Sequence, residues 1–260
     1  MDELWNSSKP AGSITKLLEG SKASPFQLQS WGSLPPDKWP SAWFTYNEKR
    51  YPRLPVIALN EIPTPSSNLL ELMAQRSSHR LAGSASLNVK DLSSILRIAI
   101  GAEETRGLRR HYSSAGARNG VEVYVLAHRV DGLPSGVYSY NHALASLYAV
   151  REGISHETLR MIFGEEWIAS SQLILVLTCA VDRLTIKYAD RGFRYALLEA
   201  GAVAQNITLA STDLGFGSCL VGGFADDMLS QLILTTPQTE FPILSCVINA
   251  MSNERKNTDE

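Results

Sequence analysis

Two hydrophobic patterns run along the chain, and together they predict an alternation of helices and strands. Apolar residues spaced three and four positions apart predict helices, whereas short apolar runs between turn residues predict strands. Helices are predicted over about residues 69–76, 87–102, 155–163, 194–213 and 226–234. Strands are predicted over about 121–130, 137–140, 144–150, 172–180 and 243–249, with a further short strand that ends at Gly222 and Gly223. No internal repeat and no second set of start signals is present, so we expect one α+β domain.

Residues 1–65 lack a clear period and are rich in Pro, Ser, Trp and Tyr. Their proline-containing segments indicate extended, irregular chain. Aromatic residues of this region are difficult to reconcile with a disordered tail, among them Trp5, Trp31, Trp39, Trp43 and Tyr46. We therefore predict an N-terminal arm, residues 1–65, that packs on a body formed by residues 66–260. Ser67 or Asn68 is expected to cap the first helix of that body.

The predicted helix 194–213 has small side chains at its middle: Ala200, Gly201, Ala202 and Ala204. Small residues contribute little buried area, and glycine costs about 1 kcal/mol of helix propensity relative to alanine. Such a helix is useful where another backbone approaches closely. Two interpretations remain open from the pattern alone: a tightly packed core helix, or a helix that faces a partner helix or a cofactor.

Composition and charge narrow the class of protein. The 260 residues are 44% hydrophobic, enough for a sizeable core. The net charge of −2, without a cluster of Lys or Arg, gives no electrostatic argument for a nucleic-acid partner. No apolar run approaches the ~20 residues of a membrane span, and the polar, acidic start MDELWNSSKP is not a secretory signal. We expect a cytoplasmic protein without a membrane partner.

The cysteines and histidines do not predict a metal site. Cys179, Cys219 and Cys246 each lie in an apolar, strand-like context without CxxC spacing. Buried, reduced thiols fit this pattern and a reducing cytoplasm. The five histidines are scattered without metal-ligand spacing, so we expect no bound metal.

Three separate segments have the chemistry of a flavin site. The segment Arg76–Arg80 (RSSHR) offers two guanidinium groups and two hydroxyls to a phosphate or a ribityl chain. The alternative is a solvated helix terminus whose cations complement the helix dipole. The segment Ser113–Ala117 (SSAGA) supplies thin backbone that a flat ring can approach. Gly222 and Gly223 offer backbone N–H groups, which would stabilise charge at the flavin N5 and O4.

The order of these segments resembles the nitroreductase superfamily and, within it, the SagB-type azoline dehydrogenases of thiazole/oxazole-modified peptide biosynthesis. RSSHR (76–80) is similar to that family's RRSxR element, with Ser77 in place of its second arginine. SSAGARNGVEVY (113–124) resembles PSAGALYPLEVY, and GLPSGVYSYN (132–141) resembles GLPPGLYHYD. The blocks at 187–206 and 214–227 match almost position for position. The resemblance covers about residues 70–250, and Arg118-Asn119-Gly120 stands where the family usually has Leu-Tyr-Pro.

The resemblance implies a nitroreductase-like fold with a central, mostly antiparallel sheet flanked by helices. It also implies FMN as cofactor and an obligate homodimer with two flavins at its interface. Arg76, Ser77, Ser78 and Arg80 would hold the ribityl phosphate, and Gly222 and Gly223 would bond the flavin N5 and O4. Ser114, Ala115 and Gly116 would come from the partner protomer.

Lys187 and Tyr188 match the Lys-Tyr pair to which the azole-forming members assign proton abstraction. Oxidation of a thiazoline or oxazoline removes a proton from one ring carbon and a hydride from the next. A lysine desolvated beside a flavin would have a lowered pKa and act as a base at neutral pH, while Tyr188 would act as the base or orient the ring. The structural alternative is an exposed lysine and a core tyrosine at the end of a strand.

These features predict an FMN-dependent dehydrogenase that converts azolines of a precursor peptide to azoles, with oxygen as the oxidant of the reduced flavin. A cyclodehydratase complex is a further candidate partner. A competing hypothesis is an NAD(P)H-fed reductase of quinones, nitro compounds or enones, which needs no substrate base. A third is a non-catalytic flavin-binding subunit that organises a peptide-modifying complex.

Overall fold

The structure is a computed structural model that describes residues 38, 49, 51–59, 68–81, 85–101, 110–236 and 239–251. The helices are α1 (Leu69–Gln75), α2 (Val89–Ala99), α3 (His156–Phe163), α4 (Glu166–Ala169), α5 (Val181–Tyr188), α6 (Arg191–Asp213) and α7 (Asp226–Leu232). The strands are β1 (Val56–Ala58), β2 (Leu87–Asn88), β3 (Val121–Ala127), β4 (Val130–Asp131), β5 (Gly136–Asn141), β6 (Ser146–Glu152), β7 (Leu173–Ala180), β8 (Phe216–Val221) and β9 (Glu240–Ala250).

Seven strands form one sheet in the order β1-β6-β5-β3-β7-β9-β8. Every neighbouring pair in this sheet is antiparallel, and β2 and β4 form a separate parallel pair. The last strand of the chain, β9, lies between β7 and β8 and pairs with both along most of its length. The prediction of an α+β fold with a mostly antiparallel sheet between helices is confirmed.

The sheet is buried on both faces. On one face α2 and α6 pack over side chains such as Val123, Val125 and Leu175. On the other face α3, α4 and α7 pack over Tyr124 and Val176. The central strands β3 and β7 are buried at every position, as expected for a sheet covered on both sides. Chemistry at this sheet is therefore confined to its edges and ends.

Local capping signals place the helix starts. Asn88 forms a reciprocal capping box: its Oδ1 accepts from the amides of Lys90 (2.8 Å) and Asp91 (3.2 Å), and the Asp91 carboxylate accepts from the Asn88 amide (2.9 Å). Asn68 caps α1, accepting from the amide of Leu70 at 3.0 Å. Asn88 is therefore the cap of α2, and of the two predicted candidates for α1, Ser67 and Asn68, the cap is Asn68.

The small residues of α6 divide between the two sides of the helix. Ala200 and Ala204 are buried and belong to the core on the α2 side of the sheet. Gly201 is exposed, and a Cβ atom built on it would meet no atom within 4 Å. The core interpretation therefore explains Ala200 and Ala204 but leaves Gly201 without a neighbour in the described part of the chain.

One stretch differs from the prediction. We expected a polar turn before a helix that starts near Arg194, but residues Val181–Tyr188 form α5, and α6 begins at Arg191. The two helices are separated by Ala189, whose φ of 47° and ψ of −142° are not helical. Helix α5 starts directly after β7 with no side-chain cap at Ala180, so the usual start signal is absent.

Little of the predicted arm lies within the described residues, and its aromatic residues, Trp5 to Tyr46, lie outside them. Residues 56–58 form the edge strand β1, paired with β6. The Lys49 amine forms an ion pair with the buried Glu240 and donates to the Tyr124 hydroxyl at 2.5 Å. Lys49 and β1 are therefore both in contact with the rest of the described fold.

Two properties of the described residues concern membranes and metals. None of their helices is long and apolar enough to cross a bilayer. In the same ranges, no group of three or more His, Cys, Asp or Glu side chains is arranged to hold a metal ion.

Candidate active site

The segment Arg76–Arg80 follows α1 and lies beside the edge strand β8. Ser78 forms an isolated parallel β-bridge with Ser218, and the His79 amide donates to the Ser218 carbonyl at 2.9 Å. Ser77 and Ser78 are exposed, and Arg76 is half-buried at the end of α1. The segment approaches β8 so closely that a Cβ atom on Gly217 would lie 2.8 Å from the Cβ of His79. The donors predicted for a phosphate therefore lie along one edge of the sheet.

Gly222 and Gly223 follow the last residue of β8. Both are exposed, and Cβ atoms built on them would meet nothing within 4 Å. Gly222 lies four residues beyond Ser218, which is about 13 Å along an extended strand. The Arg76–Arg80 segment and the two glycines thus form one open strip, which we call the β8 cluster (Arg76–Arg80, Gly222 and Gly223).

The second set of predicted site residues meets at α5. The segment Ser114–Gly120 contains a single 3₁₀ turn, Ala115–Ala117, in which Gly116 has a φ of 57°. A Cβ atom on Gly116 would lie 2.5 Å from the Tyr188 hydroxyl and 3.0 Å from the Lys187 amine. Only glycine accommodates both this backbone conformation and this approach without displacing the pair. We call this arrangement the α5 cluster (Ser114–Gly120, Lys187 and Tyr188).

Lys187 is buried, with 6% of its surface exposed, and its amine lies 5.5 Å from the centre of the Tyr188 ring. The Tyr188 ring packs edge-on against Tyr195 of α6, with 4.8 Å between ring centres. The structural alternative for the pair, an exposed lysine and a core tyrosine at the end of a strand, is wrong. Both residues lie in the last turn of a helix, and the lysine is the more buried of the two.

Burial is the main cause of the pKa shifts of Lys187 and Tyr188. It lowers the pKa of Lys187, and the nearby Arg118 guanidinium lowers it further. Burial raises the pKa of Tyr188; Tyr195 adds to this rise, and Arg118 opposes it. The lowered pKa of Lys187 favours the neutral amine, which is the form that accepts a proton.

Glu199 of α6 is a site residue that sequence reasoning missed. It is 2% exposed; its Oε1 accepts a hydrogen bond from the Val121 amide at 3.1 Å, and its Oε2 has no hydrogen-bond partner among the described residues. Burial raises the pKa of Glu199, and the neighbouring Ser114 hydroxyl and Val121 amide oppose this rise. Ser114 accepts from the Asn119 amide at 2.7 Å, so the glutamate lies beside the loop of the α5 cluster. An acidic residue within an apolar helical stretch was the available signal.

The two clusters lie at the same end of the sheet but are not joined within the described residues. Gly120 precedes β3 and Gly222 follows β8, and the intervening strands are β7 and β9. Three strand spacings correspond to about 14 Å. The chain therefore presents two separate groups of predicted site residues.

The residues of the β8 cluster suit a flavin mononucleotide. Hydroxyls and guanidiniums lie at one end of the open strip and backbone amides at the other, a separation comparable with the length of the ligand. The glycine positions leave the space above the strip free, where side chains would fill it. The residues present therefore fit FMN.

Comparison with known proteins identifies the family. The nitroreductase family model matches residues 73–248. MJ1384 of Methanocaldococcus jannaschii, a protein classed by name as a nitroreductase, is 34% identical over 179 residues, which cover 68% of this chain and 87% of that protein. The microcin B17-processing protein McbC of Escherichia coli is 24% identical over 164 residues, covering 61% of this chain and 60% of McbC.

A solved structure extends this likeness. A chain of the E. coli microcin synthetase McbBCD complex with truncated pro-MccB17 bound has a TM-score of 0.61 and 20% identity, covering 96% of both chains. At this identity the match shows the fold. Members of the matched family typically bind a flavin. Because the family model spans more than half of the residues, this chain belongs to the nitroreductase family.

Proposed function

We propose that this protein is an FMN-dependent dehydrogenase that oxidises thiazolines or oxazolines of a precursor peptide to thiazoles or oxazoles. It acts as a cytoplasmic homodimer, with oxygen reoxidising the reduced flavin. The observation that carries the proposal is the buried Lys187 amine beside Tyr188, facing the thin loop at Gly116. A reductase fed by NAD(P)H has no use for a substrate base, whereas an azoline dehydrogenase needs one.

The residues of the chain would divide the reaction between them. The Lys187 amine takes the proton from one azoline ring carbon, and Tyr188 orients the ring or shares the proton. FMN, when bound, supplies the acceptor for the hydride from the neighbouring carbon. Arg76, Ser77, Ser78 and Arg80 would hold its phosphate, and the amides of Gly222 and Gly223 would bond its ring.

Shared flavin sites follow from the two separate clusters. Gly116 contacts Lys187 and Tyr188 of its own chain, so a loop supplied by the partner brings the partner's copy of the pair with it. The β8 cluster of one protomer would then face the α5 cluster of the other. Exposed apolar side chains on α1 and α6 support an interface there, among them Leu70 (74% exposed) and Leu198 (71%).

The relatives support the choice of substrate and partner. McbC is named for microcin B17 processing, and the matched solved complex contains a precursor of that peptide. We infer a peptide substrate and a cyclodehydratase complex as the partner that supplies azolines. We also assign residues 66–260 to the flavin-binding body and 1–65 to the arm.

A peptide carrying one synthetic thiazoline tests the function. The wild-type protein should oxidise it with oxygen as the only oxidant, and activity should rise with pH through the lowered pKa of Lys187. Lys187→Ala and Tyr188→Phe should lose activity by about 10²–10⁴-fold while keeping FMN and fold. Tyr195→Phe, a matched change beside the pair, should retain activity. Wild-type rates in both variants of the pair would refute its role.

The likeness to MJ1384 favours a second candidate, an NAD(P)H-dependent reductase of small molecules. This activity requires hydride transfer from NAD(P)H to the flavin and needs neither Lys187 nor Tyr188. NADPH-driven reduction of a quinone that survives Lys187→Ala, in a protein inert toward the thiazoline peptide, would establish this function instead.

A further inference from the structure

The loop of the α5 cluster lies lengthwise along α5. Gly116 faces Lys187 and Tyr188 at the end of the helix. One turn earlier, a Cβ atom on Gly120 would overlap the side chain of Leu184. The loop is therefore held against α5 at both of its ends, and its side chains are placed relative to the helix.

Arg118 is enclosed in this contact. It is only 3% exposed, and its Nε donates to the carbonyl of Arg183 at 2.7 Å. In an α-helix the carbonyl of residue i points toward the amide of residue i+4, which for Arg183 is Lys187. The guanidinium of Arg118 is thereby held on the part of α5 that carries the catalytic lysine. Its burial separates it from direct contact with a substrate.

The acidic residue of β3 pairs with the arginine of α5 whose carbonyl accepts from Arg118. Glu122 forms an ion pair with the Arg183 guanidinium, and both side chains are nearly buried. The same guanidinium donates to the Asn119 carbonyl at 2.9 Å and so fixes the loop next to Arg118. Arg183 thus holds Arg118 through its carbonyl and the loop through its side chain.

We propose that Arg118 is a positioning residue that places a permanent positive charge against Lys187 and so keeps the lysine amine neutral and ready to accept a proton. This inference rests on the proposed function. Arginine suits the role because it stays protonated at any working pH. In the step concerned, the azoline C–H bond breaks and its proton passes to the Lys187 nitrogen, while FMN, when bound, would supply the acceptor for the hydride from the neighbouring carbon.

The surroundings of Lys187 agree with this assignment. Burial lowers the pKa of Lys187 most, and Arg118 is the charge that lowers it further. Among the described residues, the charged or titratable groups near the pair on the loop, α5, α6 and β7 include Arg118, Arg183, Tyr188, Arg191, Tyr195, Glu199 and Cys179. Burial raises the pKa of the Cys179 thiol to about 12, so it stays neutral, and Glu199 accepts a hydrogen bond from the Val121 amide.

The amine can be observed without substrate. Protein labelled with ¹³C at the lysine ε carbons is titrated by NMR in its FMN-loaded form, and Lys187→Ala identifies the signal. Arg118→Gln removes the charge but keeps a donor for the Arg183 carbonyl. We expect the Lys187 midpoint to move to higher pH in Arg118→Gln. Arg191→Met, which removes the cation over Tyr195, should leave it unchanged.

The pH profile of kcat separates an electrostatic role from a structural one. In Arg118→Gln the loss at neutral pH should be smaller than the about 10²–10⁴-fold loss of a missing base, and it should recover at higher pH. An unchanged midpoint in Arg118→Gln, or a loss of kcat that is equal at every pH, overturns the proposal. A shifted midpoint in a protein that never oxidises the thiazoline peptide would keep the electrostatic assignment and reject the azoline dehydrogenase.

Discussion

Gly116→Ala probes the contact between the loop and the catalytic pair with a single added methyl group. Gly116 has a φ of 57°, and its Cβ would lie 2.5 Å from the Tyr188 hydroxyl and 3.0 Å from the Lys187 amine. Alanine must therefore adopt a left-handed backbone and also displace the ends of two side chains. The left-handed backbone lowers the stability of the fold, and the displaced side chains change the geometry of the site.

The two effects have different sizes. A left-handed conformation costs a non-glycine residue about 1–2 kcal/mol. The displaced atoms are the ends of side chains that can rotate, so we expect a total loss of stability of about 1–3 kcal/mol. Ordinary contact begins at 3.4 Å, so the Tyr188 hydroxyl must move by about 1 Å. A displacement of that size costs on the order of 10²-fold in rate.

Gly153→Ala is the matched control. Gly153 has a φ of 69°, and a Cβ atom on it would meet nothing within 4 Å. Urea unfolding should show similar losses for the two variants, whereas oxidation of the thiazoline peptide with saturating FMN should fall only in Gly116→Ala. Wild-type activity in Gly116→Ala, or equal losses of activity in both variants, would refute the proposed contact.

Two further predictions concern the flavin and the dimer. Arg76→Ala should purify with little FMN, measured by flavin absorbance per chain. Arg53→Ala, at the opposite edge of the sheet, should keep its flavin. Equal flavin content in the two variants would show that Arg76 does not bind the flavin. Leu198→Asp should dissociate the dimer in sedimentation, because it puts a charge into the apolar face of α6. Leu144→Asp, at an exposed leucine between β5 and β6, should not.

Local sequence signals were sufficient for much of the fold. The helical spacing of apolar residues over 87–102 and the unbroken apolar run of β7 predicted a helix and a strand near their observed bounds. The order of the strands could not be predicted from such signals, because β9 inserts between β7 and β8, two strands that are separated along the chain by α5 and α6. Helix α5 was missed since it has eight residues and no capping side chain.

The candidate site was likewise predictable only in part. The glycine-rich and arginine-rich segments could be proposed as a flavin site from the sequence, because the chemistry of a flavin requires those residue types in short stretches. The supports of the α5 cluster could not, since Glu122 and Arg183 meet only in the fold. Burial of Lys187 depends likewise on the loop that covers it, which the helix pattern alone does not reveal.

A shared site makes one prediction that a site within a single chain cannot. Arg76→Ala damages the β8 cluster, and Lys187→Ala damages the α5 cluster. In a mixed dimer with the β8 cluster of each protomer facing the α5 cluster of the other, one site carries both defects and the other carries neither. Random reassociation of equal amounts makes about half of the dimers mixed, so about one quarter of the wild-type activity should return. Sites confined to one chain would give no recovery, and the mixture would stay as inactive as its two parents.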